Sequence, residues 1–93
     1  MSIYNLVWTA GFTRAAKKFA DKHRELRSTF ADVLRDLEIE PFQPHLKYHH
    51  LTGKLKGSQA VSITHSYRIT LTVIITDKEI ILLDIGSHDD VYR

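Results

Sequence analysis

The chain has 93 residues, 43% hydrophobic and 26% charged, with a formal net charge of +2, six histidines and no cysteine. That is the balance of a small globular protein, and it excludes a disordered chain, a disulfide scaffold and a cysteine-based zinc site. No apolar run reaches the length of a membrane span, so no membrane partner is expected.

Met1-Ser2-Ile3-Tyr4-Asn5 lacks a basic stretch followed by an apolar one. No secretion signal is read there, and a cytoplasmic location is expected. Ile3 to Trp8 is short, apolar and β-prone, and predicts a first strand. Thr9 is a suitable N-cap for a helix beginning just after it. From Gly11 to Leu37 the period becomes helical, with Phe12, Ala15, Ala16, Phe19, His23, Leu26, Phe30, Val33, Leu34 and Leu37 on one stripe. The stretch is long for one helix in so small a chain, so two antiparallel helices are predicted, broken near His23 to Arg27. Pro41 and Pro44 end the helical region.

Residues 45–58 read as a glycine-punctuated connection carrying three histidines and three lysines. The period then becomes two. Val61 and Ile63 alternate with Ser62 and Thr64. Tyr67, Ile69, Leu71, Val73 and Ile75 alternate with Arg68, Thr70, Thr72, Ile74 and Thr76. Asp77-Lys78 predicts a tight turn, and Glu79 to Ile85 the last strand, ending at Gly86. The predicted class is α+β, with residues 1–93 as one domain. One strand and two helices are followed by a three-stranded antiparallel meander that completes a single sheet.

From Arg14 to Gly57 there are ten Lys/Arg against six Asp/Glu, whereas from Asp77 onward five acids face two bases. A basic front and middle suit an anionic partner such as nucleic acid. If the helices cover the Tyr67/Ile69/Leu71/Val73 face, Arg68 points out of the other. His88 and Tyr92 then emerge at the end of the last strand, and His49, His50, Lys54 and Lys56 reach the same region from the connection. Ser62 shares that face.

Such a cluster suits RNA cleavage by the ribose 2′-OH. Histidine titrates near ~6.5 and can serve as base or acid at neutral pH. Arginine offers a fork for phosphate oxygens, and tyrosine a ring for a base. No metal or other cofactor is needed. Other readings compete. His23 suits helix packing. His65, in phase with Val61 and Ile63, points to the core unless the turn rotates it. Tyr92 could be a C-terminal anchor. Trp8, Phe42 and Tyr48 suit the core. His45 and His49 have metal-compatible spacing only on a helix, which Pro44 opposes.

Three local patterns carry a resemblance: His49-x-Leu51-x-Gly53 with Gly57 beyond it, Tyr67-Arg68 opening a strand, and Ile85-Gly86-Ser87-His88 with Val91-Tyr92. With the order of elements, they make the chain resemble the RelE/ParE superfamily of toxins from bacterial toxin–antitoxin pairs. It looks closest to the YafQ-like and HigB-like mRNA interferases. The resemblance implies a ribosome-dependent endoribonuclease that cleaves mRNA and is neutralised by a cognate antitoxin protein. It implies acid–base roles for His49 and His88, a phosphate contact for Arg68, and a terminal aromatic role for Tyr92. Two departures stand out. Ser62 takes the place of a strand histidine, and His65-Ser66 replaces a Pro-Asp. Either His65 supplies that imidazole from a shifted position or the activity is weaker. The alternatives are a non-catalytic ParE-like inhibitor of DNA gyrase, or an inactive protein-binding module of the same fold.

Overall fold

The computed structural model describes residues 3–87. In chain order they form β1 (Asn5–Trp8), α1 (Ala10–Lys22), α2 (Arg27–Ile39), β2 (His49–His50), β3 (Gln59–Ser62), β4 (Tyr67–Ile74) and β5 (Glu79–Ser87). The helix break is a short helical turn, Arg24–Leu26, within the predicted interval. His23 ends α1 with its amide on the Phe19 carbonyl, in a non-helical conformation (φ −124°, ψ 64°). The chain thus turns without Gly or Pro.

Thr9 caps α1. Its hydroxyl accepts from the Phe12 N–H at 3.1 Å and donates to the Leu82 carbonyl at 2.7 Å, tying the helix start to β5. Thr9→Ala is therefore expected to cost about 1–2 kcal/mol, in the upper part of the capping range, because two bonds are lost. Urea unfolding of Thr9→Ala beside Thr9→Ser measures it. A serine as damaging as the alanine would show that the hydroxyl is not the cause.

The sheet has five strands in the order β1-β5-β4-β3-β2. β3, β4 and β5 form the expected antiparallel meander, and β1 joins its edge parallel to β5. Two expectations change. The histidine-rich connection contributes a fifth strand, with His49 opposite Ala60 and His50 opposite Gln59. The last strand also does not stop at Gly86: it runs to Ser87, with Gly86 opposite Arg68. The ladder carries through Gly86 because its partner on β4 is present.

One face of the sheet holds Val61, Ile69, Leu71, Ile80, Leu82 and Ile85, in one buried cluster with Phe12, Phe19, Phe30 and Leu37 from the helices. Leu82 and Ile85 are three apart, which simple alternation forbids. The register explains it. Leu71 pairs with Leu82 and Thr70 with Asp84, so Leu83 is an extra residue on β5. This bulge flips the phase, and Ile85 returns to the core. Asp84 Oδ1 accepts from the Ile85 N–H at 2.8 Å beside it.

The other face is not open along its whole length. Leu51 and Leu55 fold over Ala60 as a second small cluster. Gly53 (φ 67°) and Gly57 (φ 100°) both lie in the left-handed region, which lets the intervening turn curl back. Trp8 and Phe42, expected in the core, are 46% and 42% exposed. Trp8 lies at the end of an edge strand and meets Phe12 edge to face, ring centres 4.8 Å apart.

Candidate functional site

Directly paired residues share a face of the sheet. One row across that face is Ser62–Arg68–Gly86, and the next is His49–Ala60–Thr70–Asp84. Arg68 therefore lies opposite the helix face, as alternation predicts, and Ser62 and His49 share its side. Its surroundings are drier than a row of threonines suggests, since Ala60 is 0% and Thr70 5% exposed. The two-stranded spacing from β2 to β4, with an offset of two residues, puts the His49 and Arg68 backbones about 12 Å apart.

The arginine is held from its own turn. Ile63 and Thr64 N–H groups donate to the Tyr67 carbonyl, closing residues 63–67, and an Arg68 terminal nitrogen donates to the His65 carbonyl at 3.2 Å. His65 itself is exposed on that turn rather than buried. The strand period ends at Ser62, so phase with Val61 and Ile63 no longer governs its direction. Its backbone, not its imidazole, is what touches Arg68.

His49 is oriented from behind. Lys47 takes the left-handed conformation (φ 55°, ψ 44°), and its carbonyl lies 2.9 Å from His49 Nδ1. A carbonyl can only accept, so Nδ1 carries the proton and the neutral ring has its lone pair on Nε2.

The remaining candidates separate. His50 pairs with Gln59 and so lies on the opposite side from His49, its exposed ring 5.7 Å from that of Tyr48. Lys54 and Lys56 are exposed in and after the turn Gly53–Leu55. His88 and Tyr92 lie outside the described residues. His45 binds Asp36 at 2.8 Å instead of joining His49. Among the described residues no three His, Cys, Asp or Glu side chains gather as a metal site. His23 packs as expected, its ring 4.6 Å from Tyr67 and 5.0 Å from Phe19.

Two supporting residues were not among the candidates read from the sequence. Lys47 supplies its carbonyl through a backbone conformation that no side-chain pattern announces. Gln59 is buried, accepts from the Val73 N–H at 3.1 Å and donates to the Gly57 carbonyl at 3.3 Å. It thus ties the covering loop to β4 beyond the end of β3. A polar residue in phase with Val61 and Ile63 was the available signal. Tyr48, half-buried beside His49, has its phenol pushed up by burial, and it remains a protonated hydroxyl at neutral pH.

No family model matches the chain, and no curated protein matches it. Solved structures do. A YoeB/ParE toxin from Agrobacterium tumefaciens superposes with a TM-score of 0.73 at 20% identity, covering 90% of this chain and 98% of that one. A copper-bound mutant toxin from Helicobacter pylori gives 0.67 at 25% identity, covering 96% and 99%. The chain is similar too to the E. coli DinJ–YafQ toxin–antitoxin complex, at 0.69 and 15% identity, covering 98% and 99%. No helix among the described residues is long and apolar enough to cross a membrane.

Proposed function

We propose that this chain, which has the fold of the RelE/ParE toxins, is the toxin of a type II toxin–antitoxin pair and a ribosome-dependent endoribonuclease acting on mRNA in the cytoplasm. The observation that carries the reading is the shared face. Arg68 stands between Ser62 and Gly86, and His49 lies on the same side with its Nδ1 oriented by the Lys47 carbonyl. A gyrase-binding surface has no need of an imidazole so prepared. The likeness to the DinJ–YafQ complex supports a cognate antitoxin as partner.

In the proposed reaction His49 Nε2 takes the proton of the ribose 2′-OH. The 2′ oxygen attacks phosphorus, and Arg68 neutralises the charge that builds on the phosphorane oxygens. The bond to the 5′ oxygen breaks as His88 protonates it. One fragment keeps a cyclic phosphate and the other a 5′-hydroxyl. The Nδ1 contact with the Lys47 carbonyl supports giving the base role to His49, and the acid role is then proposed for His88. Tyr92 would stack on the neighbouring base, while Ser62 would donate to a phosphate oxygen. His65, His50, Lys54 and Lys56 would add positive potential around the strand.

Expression in a bacterium with mRNA ends mapped tests the reading. Ribosome-dependent cuts are expected, and their loss in His88→Ala. Growth arrest with intact mRNA and an SOS response would replace the enzyme by a gyrase inhibitor. Normal growth would leave an inactive binding module.

A further inference from the structure

β1 pairs only with Glu79 to Leu82, so the second half of β5 has no strand on that side among the described residues. The phase of the ladder gives the outer edge its character. The Ile85 N–H bonds to its neighbour Asp84 rather than to β4, and so faces this edge. Between the edge and α1 runs a groove of about 850 Å³. Arg14, Lys18 and Lys22 line its helix side at successive i, i+4 positions, with Lys17 beside them. The rise between such positions is about 6 Å, comparable to the repeat of an extended ribose–phosphate chain. None of the four makes an ion pair among the described residues. Two acids line the groove as well. Asp21 is engaged by Arg27 at 3.5 Å, and Asp84 by the Ile85 N–H.

At the far end of the groove lie His23 and Tyr67, half-buried and ring to ring at 4.6 Å. A file of cations ending in two adjacent rings, tilted 52° to each other, is a layout that suits unpaired nucleotides: phosphates along the charges, a base against a ring. A duplex keeps its bases stacked and would not use the rings. The groove is also adjacent to the candidate site. Tyr67 and Ser87 pair on the helix side of the sheet, while their neighbours Arg68 and Gly86 pair on the other.

We propose that the groove between α1 and the outer edge of β5 is a second RNA site, which holds the phosphates of a single strand beside the scissile position and stacks one base on the His23–Tyr67 pair. This rests on RNA being the substrate. The site contributes affinity and register but no proton transfer.

Fluorescence anisotropy on the full chain tests it, with a labelled 2′-O-methyl oligouridine of about 12 nucleotides, which cannot be cut. Arg14→Gln/Lys18→Gln/Lys22→Gln is expected to raise Kd about tenfold or more and to lower the salt slope by about 2, at ~0.7 per lost phosphate contact. His23→Ala is expected to raise Kd about fivefold or more without changing the slope. All three cations are exposed, so an unchanged melting temperature is the control; the single substitutions Lys18→Gln and Lys22→Gln serve if the triple variant melts early. Unchanged Kd and slope would overturn the site. So would an equal loss for an RNA duplex, or a loss confined to a polyglutamate peptide, which would mark an acidic-protein groove. A wild type that cuts no RNA, yet binds the oligouridine through these residues, would end the endoribonuclease reading and leave the groove standing. A wild type that cuts, with a triple variant binding normally, would do the reverse.

Discussion

Arg68→Ala is expected to slow RNA cleavage by about 10²–10³-fold, the usual effect of removing one group that stabilises an oxyanion in a preorganised site. The setting of the side chain is the ground for that expectation. The side chain stands in the middle of three strands, flanked by Ser62 and Gly86, and is held by the His65 carbonyl at 3.2 Å. Arg68→Lys is expected to recover little, because an ammonium cannot reproduce the planar fork or the turn contact together. Single-turnover cleavage separates the effects: the rate of the chemical step should fall, with substrate affinity changing much less. A variant that cuts at the wild-type rate would remove Arg68 from the chemistry. The same guanidinium steadies residues 63–67, so a melting curve accompanies each variant.

Phe12→Ala is expected to destabilise the fold by about 3–5 kcal/mol. That is a large share of the ~5–15 kcal/mol that holds a typical domain together. The ring is fully buried, edge-on to Trp8 at 4.8 Å and tilted against Phe30 at 6.3 Å. It is the point where β1, α1 and α2 meet, and the alanine leaves a cavity that none of them can close alone. Trp8→Ala removes a larger ring but one that is 46% exposed, and it should cost distinctly less. Urea unfolding of both variants decides the order. A loss below ~1 kcal/mol for Phe12→Ala would mean that this core repacks freely.

Much of the architecture was legible in the chain because its causes are local. The helical stripe from Phe12 to Leu37, the cap at Thr9 and the alternation through Tyr67 to Val73 each depend on neighbours a few residues away. Arg68 could be assigned to a face for the same reason. The two-residue strand at His49–His50 could not be found this way: it is too short to show a period and exists because β3 offers it an edge. The bulge at Leu83 was hidden inside an unbroken run of Ile80, Ile81, Leu82 and Leu83. A run without alternation carries no phase to break. His65 departs from its expected direction because strand phase does not extend into a turn.

By itself, then, the sequence determined the order of the elements, the two apolar faces and the stock of histidines, arginine and tyrosine from which a site could be drawn. Tertiary structure decided which of them share a face. The parallel seat of β1 leaves half of β5 without a strand on its outer side among the described residues. The register of β2 puts His49 on the face of the sheet that carries Arg68, and His50 on the other. Composition and periodicity act along the chain over a turn or a strand, whereas register is settled between segments distant in sequence, where one residue of slip exchanges the faces.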